Sequence, residues 1–395
     1  MSLKEFRAEA RDWLEDNCPP SMCRQAIHFE DAPAFYQRDD AKLWCQRAAT
    51  RGWLAPTWDV KYGGGGLDAA HAAVLAEEMQ ALGALPPATG MGLVMIGPTL
   101  LEFGTEEQKA RHLPRITSGE VTWCQGYSEP GAGSDLAGLR TRAEDNGDHY
   151  LINGQKIWTS GGDHADWMFV LVRTDPSAPK HNGISFMLLD MHQSGVTVKP
   201  ISLISGSSPF CETFFDNAVA RKEDLIGELN QGWTIAKRLL QYERSGGTTG
   251  PATKRKKRAK PKAHGLLRLA AEYCATDSGR IDSDGARTQV LEHVMQERAL
   301  NLTTRRAIQE RQSGGAPGAA TSIFKYVGST LAKNNSELRA TLRGSQGMGW
   351  TGAGFSEAEL DSTRSFLRDR AVTIYGGTNE VQLNIIAKRV LGLPD

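Results

Sequence analysis

The chain has 395 residues and carries 46 Lys plus Arg against 46 Asp plus Glu. That length exceeds what one hydrophobic core usually holds, so two or three packed subdomains able to enclose a large cofactor are expected. The even charge balance gives no sign of a nucleic-acid or membrane partner, and any electrostatic steering must be local.

Six cysteines (Cys18, Cys23, Cys45, Cys124, Cys211 and Cys274) are scattered, with no C-x-x-C pair and no His/Cys cluster at metal-ligand spacing. Free thiols in a reducing cytosol are expected, and no metal. The N-terminal MSLKEFRAEARDWLEDN is charged and amphipathic where a signal peptide needs an apolar stretch, and no apolar run approaches membrane-spanning length. The expected location is cytoplasmic.

From residue 1 to about 120, apolar residues recur at helical spacing, as in Phe6, Ala10, Trp13 and Leu14 and again from Ala69 to Leu82. Gly63 to Gly66 and Pro86-Pro87 interrupt them. From 121 to 225 the texture changes to short β-rich runs, Trp167 to Val172, Ile184 to Leu189 and Val196 to Val198, punctuated by Gly, Pro and Asn. From Gly232 onward helical spacing returns, with segments at 232–244, 264–275, 286–312, 318–343 and 356–370 and a last helix after Gly377. The expected fold is mainly α with a central β domain. A biased segment, TKRKKRAKPKAH at Thr253 to His264, reads as a mobile loop.

Two stretches carry chemistry. In WCQGYSEPGAGSD, Trp123 to Asp135, Gly131 and Gly133 let backbone N–H groups approach an anion and Ser134 adds a hydroxyl, which suits a pyrophosphate; a plain turn is the alternative. In YLINGQKIWTSGG, Tyr150 to Gly162, Asn153-Gly154 is a hairpin signal. Trp158 there either stacks on a flat ring or fills the β-domain core.

In this order and at this distance, the two stretches resemble the two signatures of the acyl-CoA dehydrogenase family. GTEEQKARHLP at Gly104 to Pro114, the Asp224 to Glu228 turn and YGGTNEVQLNIIAKRVLGLPD from Tyr375 extend the likeness over nearly the whole chain. The resemblance implies an N-terminal helical domain (1–120), a middle β-barrel (121–225) and a C-terminal helical bundle (226–395). It also implies FAD, with Gln125, Tyr127, Ser128, Gly133, Ser134, Trp158, Thr378 and Glu380 at the flavin or its phosphates. The second signature is one residue shorter than the common form, so either Thr159 or Ser160 supplies the hydroxyl directed at the flavin.

The implied reaction removes an α-proton from an acyl thioester and passes a β-hydride to flavin N5, leaving a trans-2-enoyl-CoA; an electron-transfer flavoprotein is the expected acceptor. The family's commoner base follows the C-terminal tyrosine, but here Tyr375 is followed by Gly376, Gly377 and Thr378. A second family position, a glutamate before an arginine on the first helix of the C-terminal domain, is matched by Glu243-Arg244. At 100° per residue Glu243 falls within about 40° of Ala236 and Leu239 and about 60° of Leu240, whereas Lys237, Gln241 and Arg244 gather on a neighbouring polar face. A glutamate on an apolar stripe should have its pKa raised toward neutrality. The alternative is a Glu-Arg pair fraying at the helix end. By the same resemblance the Gly376 backbone N–H polarises the thioester carbonyl, and Ser134, Arg244 and Tyr375 contact the substrate.

Two family motifs that complete a homodimer's flavin site are altered, to TDSGRIDS at Thr276 to Ser283, with Arg280 as the only substitute, and to RGSQGMGW at Arg343 to Trp350. A hetero-oligomer with a related acyl-CoA dehydrogenase subunit and a homo-oligomer with different adenine contacts both fit. The basic run Lys254 to Lys262 reads as a solvated loop or an attractor of CoA phosphates; nucleic acid is disfavoured. Rival functions are a flavin monooxygenase or oxidase on the same scaffold and a non-catalytic partner subunit.

Overall fold

The computed structural model describes residues 1–24, 27, 32–246, 264–276, 280–281, 283–312 and 320–394, with the backbone alone at 33, 243–246, 311–312 and 320–321. The chain forms two compact units, Met1–Ile201 with Ser208–Arg255, and Ser202–Ser207 with Lys256–Asp395.

The first unit opens with helices α1 (Leu3–Asn17), α2 (Asp39–Thr50), α3 (Ala69–Leu82), α4 (Gly97–Phe103) and α5 (Glu106–Thr117). Ser2 and Glu5 form a capping box that starts α1, and Thr105 with Gln108 does the same for α5. The spacing read in the sequence is the buried face of α1: Phe6, Ala10 and Leu14 pack with Trp44, Ala48 and Leu75. Arg7 and Arg11 of α1 reach Glu78 of α3 at 2.5 and 2.9 Å. Burial disfavours that carboxylate, and the two arginines outweigh it, holding Glu78 below the ordinary glutamate value.

An eight-stranded sheet follows: β1 (Trp123–Gly126), β2 (Arg142–Asp145), β3 (His149–Ser160), β4 (Trp167–Arg173), β5 (Ile184–Asp190), β6 (Val196–Ile201), β7 (Phe210–Arg221) and β8 (Leu225–Ile226). The ladder runs β6-β7-β3-β2-β4-β5-β8, with β1 parallel to β4. Its two faces serve different cores. Met168, Val170, Val172, Met187 and Leu189 pack with Tyr150, Ile152 and Phe215. Phe169, Leu171, Ile184, Phe186 and Leu188 pack instead against helical residues such as Ile96, Leu100, Leu113 and Ile116. The Gln108 amide locks helices to sheet by donating at 2.8 Å to the carbonyls of both Glu223 and Leu225.

The Asn153-Gly154 pair is not a hairpin turn. It lies inside the twelve-residue β3, at a register shift opposite β7, where Asn153 Oδ1 accepts the Asn217 N–H at 2.9 Å. Gly154 is required there by a φ of 142° and by close approach to Thr141. A bulge and a turn call for the same residues, so the local pattern alone does not separate them.

Helix α6 (Gly232–Gly246) completes this unit. Ile235, Ala236 and Leu239 are buried in the core shared with α4, α5 and the inner sheet face. The second unit is helical: α7 (Gly265–Cys274), α8 (Asp284–Gln312), α9 (Ala320–Leu342), α10 (Glu357–Arg368) and α11 (Asn379–Ile385). Its core joins Leu266, Leu269 and Ala270 to Val290 and Leu342. The chain is mainly α with a central β domain. Among the described residues no helix is long and apolar enough to cross a membrane, no group of side chains could hold a metal ion, and the six cysteines are free.

Candidate active site

The two signature stretches meet. Strand β1 ends at Gly126, where a Cβ would come within 2.3 Å of Met168 Sδ, and the chain then runs alongside β3, the Ile157 N–H donating to the Ser128 carbonyl at 2.9 Å. Glu129 and Ala132 exchange two 3.0 Å backbone bonds around Pro130-Gly131, so the predicted turn is present. Gly131 within it and Gly133 and Ser134 just after it are exposed. Neither glycine has a positive φ, and a Cβ on either meets nothing within 4 Å.

Trp158 is not a core residue. It sits at the register shift between Lys156 and Thr159, with φ 62° and 53 % of its surface exposed, touching Phe210 edge-on at 6.1 Å. Positive φ is unfavourable for so bulky a residue and persists where the surroundings impose it. Strand alternation then separates the two hydroxyls. Thr159 is fully buried, its Oγ1 accepting from Thr213 Oγ1 at 3.3 Å, whereas Ser160 keeps partial exposure. Gln125 Nε2 is buried without a hydrogen-bond partner among the described residues, and the Tyr127 ring packs edge-on against Phe169 at 6.0 Å. An outward aromatic plane, a buried unanswered amide and a glycine turn open to the outside fit a flat, polar-edged ring with an anionic tail.

Helix α6 carries Glu243 one turn beyond the buried Leu239. The Glu243 and Arg244 side chains lie outside the described residues, as does the basic run Lys254 to Lys262. The turn just before is anchored: Arg238 Nε donates to Glu102 of α4 at 2.9 Å, and the Tyr242 hydroxyl donates to the same carboxylate. Sequence reasoning missed a polar hollow of about 380 Å³ at the start of α6, lined by His181, Asn182, Asn230, Gln231, Trp233, Thr234 and Lys237. Only its residue types, spread over two distant segments, could have signalled it.

In the second unit, Gly376 and Gly377 have φ of 65° and 90°, and Tyr375 is 59 % exposed with Lys325 Nζ 5.1 Å from its ring centre. Thr378 caps α11 through its hydroxyl, which accepts the Val381 N–H at 3.2 Å, and Glu380 is exposed in the first turn. Arg280 is exposed. Arg343, which stands in an altered family motif, is turned into the bundle: it donates to the Arg339 carbonyl and Ser362 Oγ at 3.1 Å and lies over Tyr273.

Residues 2–120, 124–218 and 230–391 match the family models for the acyl-CoA dehydrogenase N-terminal, middle and C-terminal domains. Acyl-CoA dehydrogenase IpdE1 of Mycobacterium tuberculosis (strain ATCC 25618 / H37Rv) is 37 % identical over 399 residues, covering 100 % of this chain and 98 % of that protein. Among solved structures, the Tcur3481-Tcur3483 steroid ACAD has a TM-score of 0.74 at 28 % identity over 99 % of this chain and 97 % of its own. The ChsE4-ChsE5 complex from Mycobacterium tuberculosis has a TM-score of 0.73 at 28 % identity, covering 100 % and 98 %. With all three domain models matched in order across nearly the whole chain, the protein belongs to the acyl-CoA dehydrogenase family of flavin-dependent oxidoreductases.

Proposed function

We propose that the chain binds FAD and converts an acyl-CoA to its trans-2-enoyl-CoA with Glu243 as the base. The observation that carries this reading is the buried stripe of α6, Ile235, Ala236 and Leu239, which leads along one helix face to Glu243. A carboxylate on the line of an apolar stripe is poorly hydrated, which strengthens it as a base for a weakly acidic α-proton. Bound flavin supplies the acceptor for the β-hydride.

The chain's residues take the remaining roles. Trp158 flanks the flavin ring, Gln125, Tyr127 and Ser128 meet its edge, and Gly133 and Ser134 serve its phosphates. Of the two hydroxyls, Ser160 is the one we assign to the flavin, because Thr159 faces Thr213. Thr378 and Glu380 belong to the same cofactor set. The Gly376 N–H supplies the donor that polarises the thioester carbonyl, while Ser134, Arg244 and Tyr375 contact the substrate. His181, Asn182 and Lys237 give the polar hollow the chemistry to receive the nucleotide end of CoA.

Anaerobic mixing with a panel of acyl-CoA thioesters tests the reading directly. The panel spans straight, branched and steroid-derived acyl groups, the last because one similar structure is a steroid ACAD. Flavin bleaching by at least one thioester is expected, with electrons then passing to an electron-transfer flavoprotein. No bleaching by any of them would overturn it. The buried Arg343 favours a further reading, a hetero-oligomer in which a related subunit completes the adenine contacts. Flavin content of the chain expressed alone and with candidate partner subunits separates this from a homo-oligomer.

A further inference from the structure

Lys156 of β3 is the one lysine whose side chain is fully buried among the described residues, and its ammonium joins the two signature stretches. Nζ donates to Glu129 Oε1 at 2.8 Å and to the Tyr127 carbonyl at 3.1 Å. Glu129 is almost as deeply buried and also accepts the backbone N–H groups of Arg140 and Thr141 at 2.7 and 2.9 Å. Burial pushes Lys156 down to about 8; burial also opposes the Glu129 charge, but the lysine outweighs it and holds the carboxyl below its ordinary value.

Such a pair is poor at simply stabilising a fold, since desolvating two charges offsets most of their attraction and apolar side chains of similar volume often serve better. What apolar residues cannot do is hold a backbone carbonyl. A trans peptide directs its C=O and N–H to opposite sides, and the described chain has no cis bonds. With the Tyr127 carbonyl held by Lys156, the Ser128 N–H is directed away from that lysine. The next peptide is fixed at both ends: the Ser128 carbonyl takes the Ile157 N–H, and the Glu129 N–H is spent on the Ala132 carbonyl. The Ser128 N–H itself takes no partner among the described residues. One residue past Ile157 stands the outward Trp158.

We propose that Lys156 is a positioning residue: by gripping the Tyr127 carbonyl, and through Glu129 the turn that follows, it presents the Ser128 N–H to an acceptor atom on the edge of the flavin ring. This rests on the flavin reading above and adds the device that prepares the loop for it.

The test uses the full chain as apoprotein and after reconstitution with FAD. Free FAD binding is read by flavin fluorescence, apoprotein stability by thermal unfolding, and the Ser128 amide by hydrogen exchange with and without FAD. In the unaltered protein the Ser128 amide should exchange freely until FAD is added and then slow at least tenfold. K156M should weaken FAD binding at least tenfold. The double variant E129Q/K156M, with both charges removed, should regain most of the apoprotein's melting temperature and still bind FAD at least tenfold more weakly, because the Tyr127 carbonyl lacks its donor. Recovery of stability and FAD affinity together would mean the pair only supports the fold, and would overturn the proposal. So would a Ser128 amide whose exchange is indifferent to FAD, a result that needs no variant to fold. Failure of the unaltered chain to bind FAD, alone or with a partner subunit, would instead remove the flavin reading on which the proposal stands.

Discussion

The Arg238 guanidinium sits on the Glu102 carboxylate, Nε lying 2.9 and 3.1 Å from its two oxygens, and ties the last turns of α6 to α4. The pair is partly exposed on both sides, so it adds little to global stability, within about 1 kcal/mol. Its effect is local. Glu102→Ala should leave unfolding nearly unchanged, speed amide exchange at the end of α6 and lower turnover several-fold through a less well placed Glu243. Unchanged exchange in that turn would show that the contact holds nothing.

Glu243→Gln removes the proposed base and keeps side-chain size. Loss of a general base lowers the rate by roughly 10²–10⁴-fold, so flavin reduction by substrate should slow on that scale while flavin content stays at the unaltered level. Near-normal reduction would place the base elsewhere.

Trp158→Gly separates stacking from packing. Left-handed backbone costs a non-glycine residue about 1–2 kcal/mol, and an indole half in solvent gives back little burial. The apoprotein's melting temperature should hold or rise while FAD affinity falls. A melting point several degrees lower would reassign Trp158 to the sheet's packing.

Acid should weaken the first unit through His112. Burial, then the neighbouring Arg111 and Arg115 charges, pushes its pKa down to about 3, and its ring lies edge-on to both Trp123 and Trp167. The unfolded imidazole takes a proton near pH 6.5 and the folded one does not, so this contribution is full above about 6.5 and is lost progressively as the pH falls toward 3. Urea unfolding at pH 7 and pH 5 should therefore show a smaller acid loss for His112→Phe than for the unaltered protein. Equal losses would mean that His112 takes no part in the acid response.

Lys237→Ala tests the hollow beside α6. If it receives the phosphate-bearing end of CoA, KM should rise several-fold with kcat nearly kept, because that contact is the same in ground and transition states. An unchanged KM at low ionic strength would remove the hollow from the substrate's path.

Much of this architecture was legible in the sequence because periodicity reports burial. The helical spacing of Phe6, Ala10 and Leu14 is a buried face of α1, and the β-rich run Ile184 to Leu189 is strand β5. The neighbourhood of the two signatures was legible as a resemblance, but the reason they meet was not. Lys156 and Glu129 lie 27 positions apart, and nothing in either residue's local pattern marks it as buried. Asn153-Gly154 misled for a related reason, since the partner that makes it a bulge, Asn217, is 64 positions away. Thr159 and Ser160 stayed unresolved until the bulge at Trp158 set which of them faces outward.

Gly131 and Gly133 occupy ordinary backbone conformations in open space, so neither steric room nor handedness within the polypeptide calls for glycine there. In the proposed function, what acts on those two positions is the cofactor, from outside the folded chain. A library selected only for solubility and thermal resistance should therefore let side chains drift into both, and a library selected for cofactor retention should drive them back out; the difference between the two outcomes would map the ligand's footprint without a ligand ever being seen.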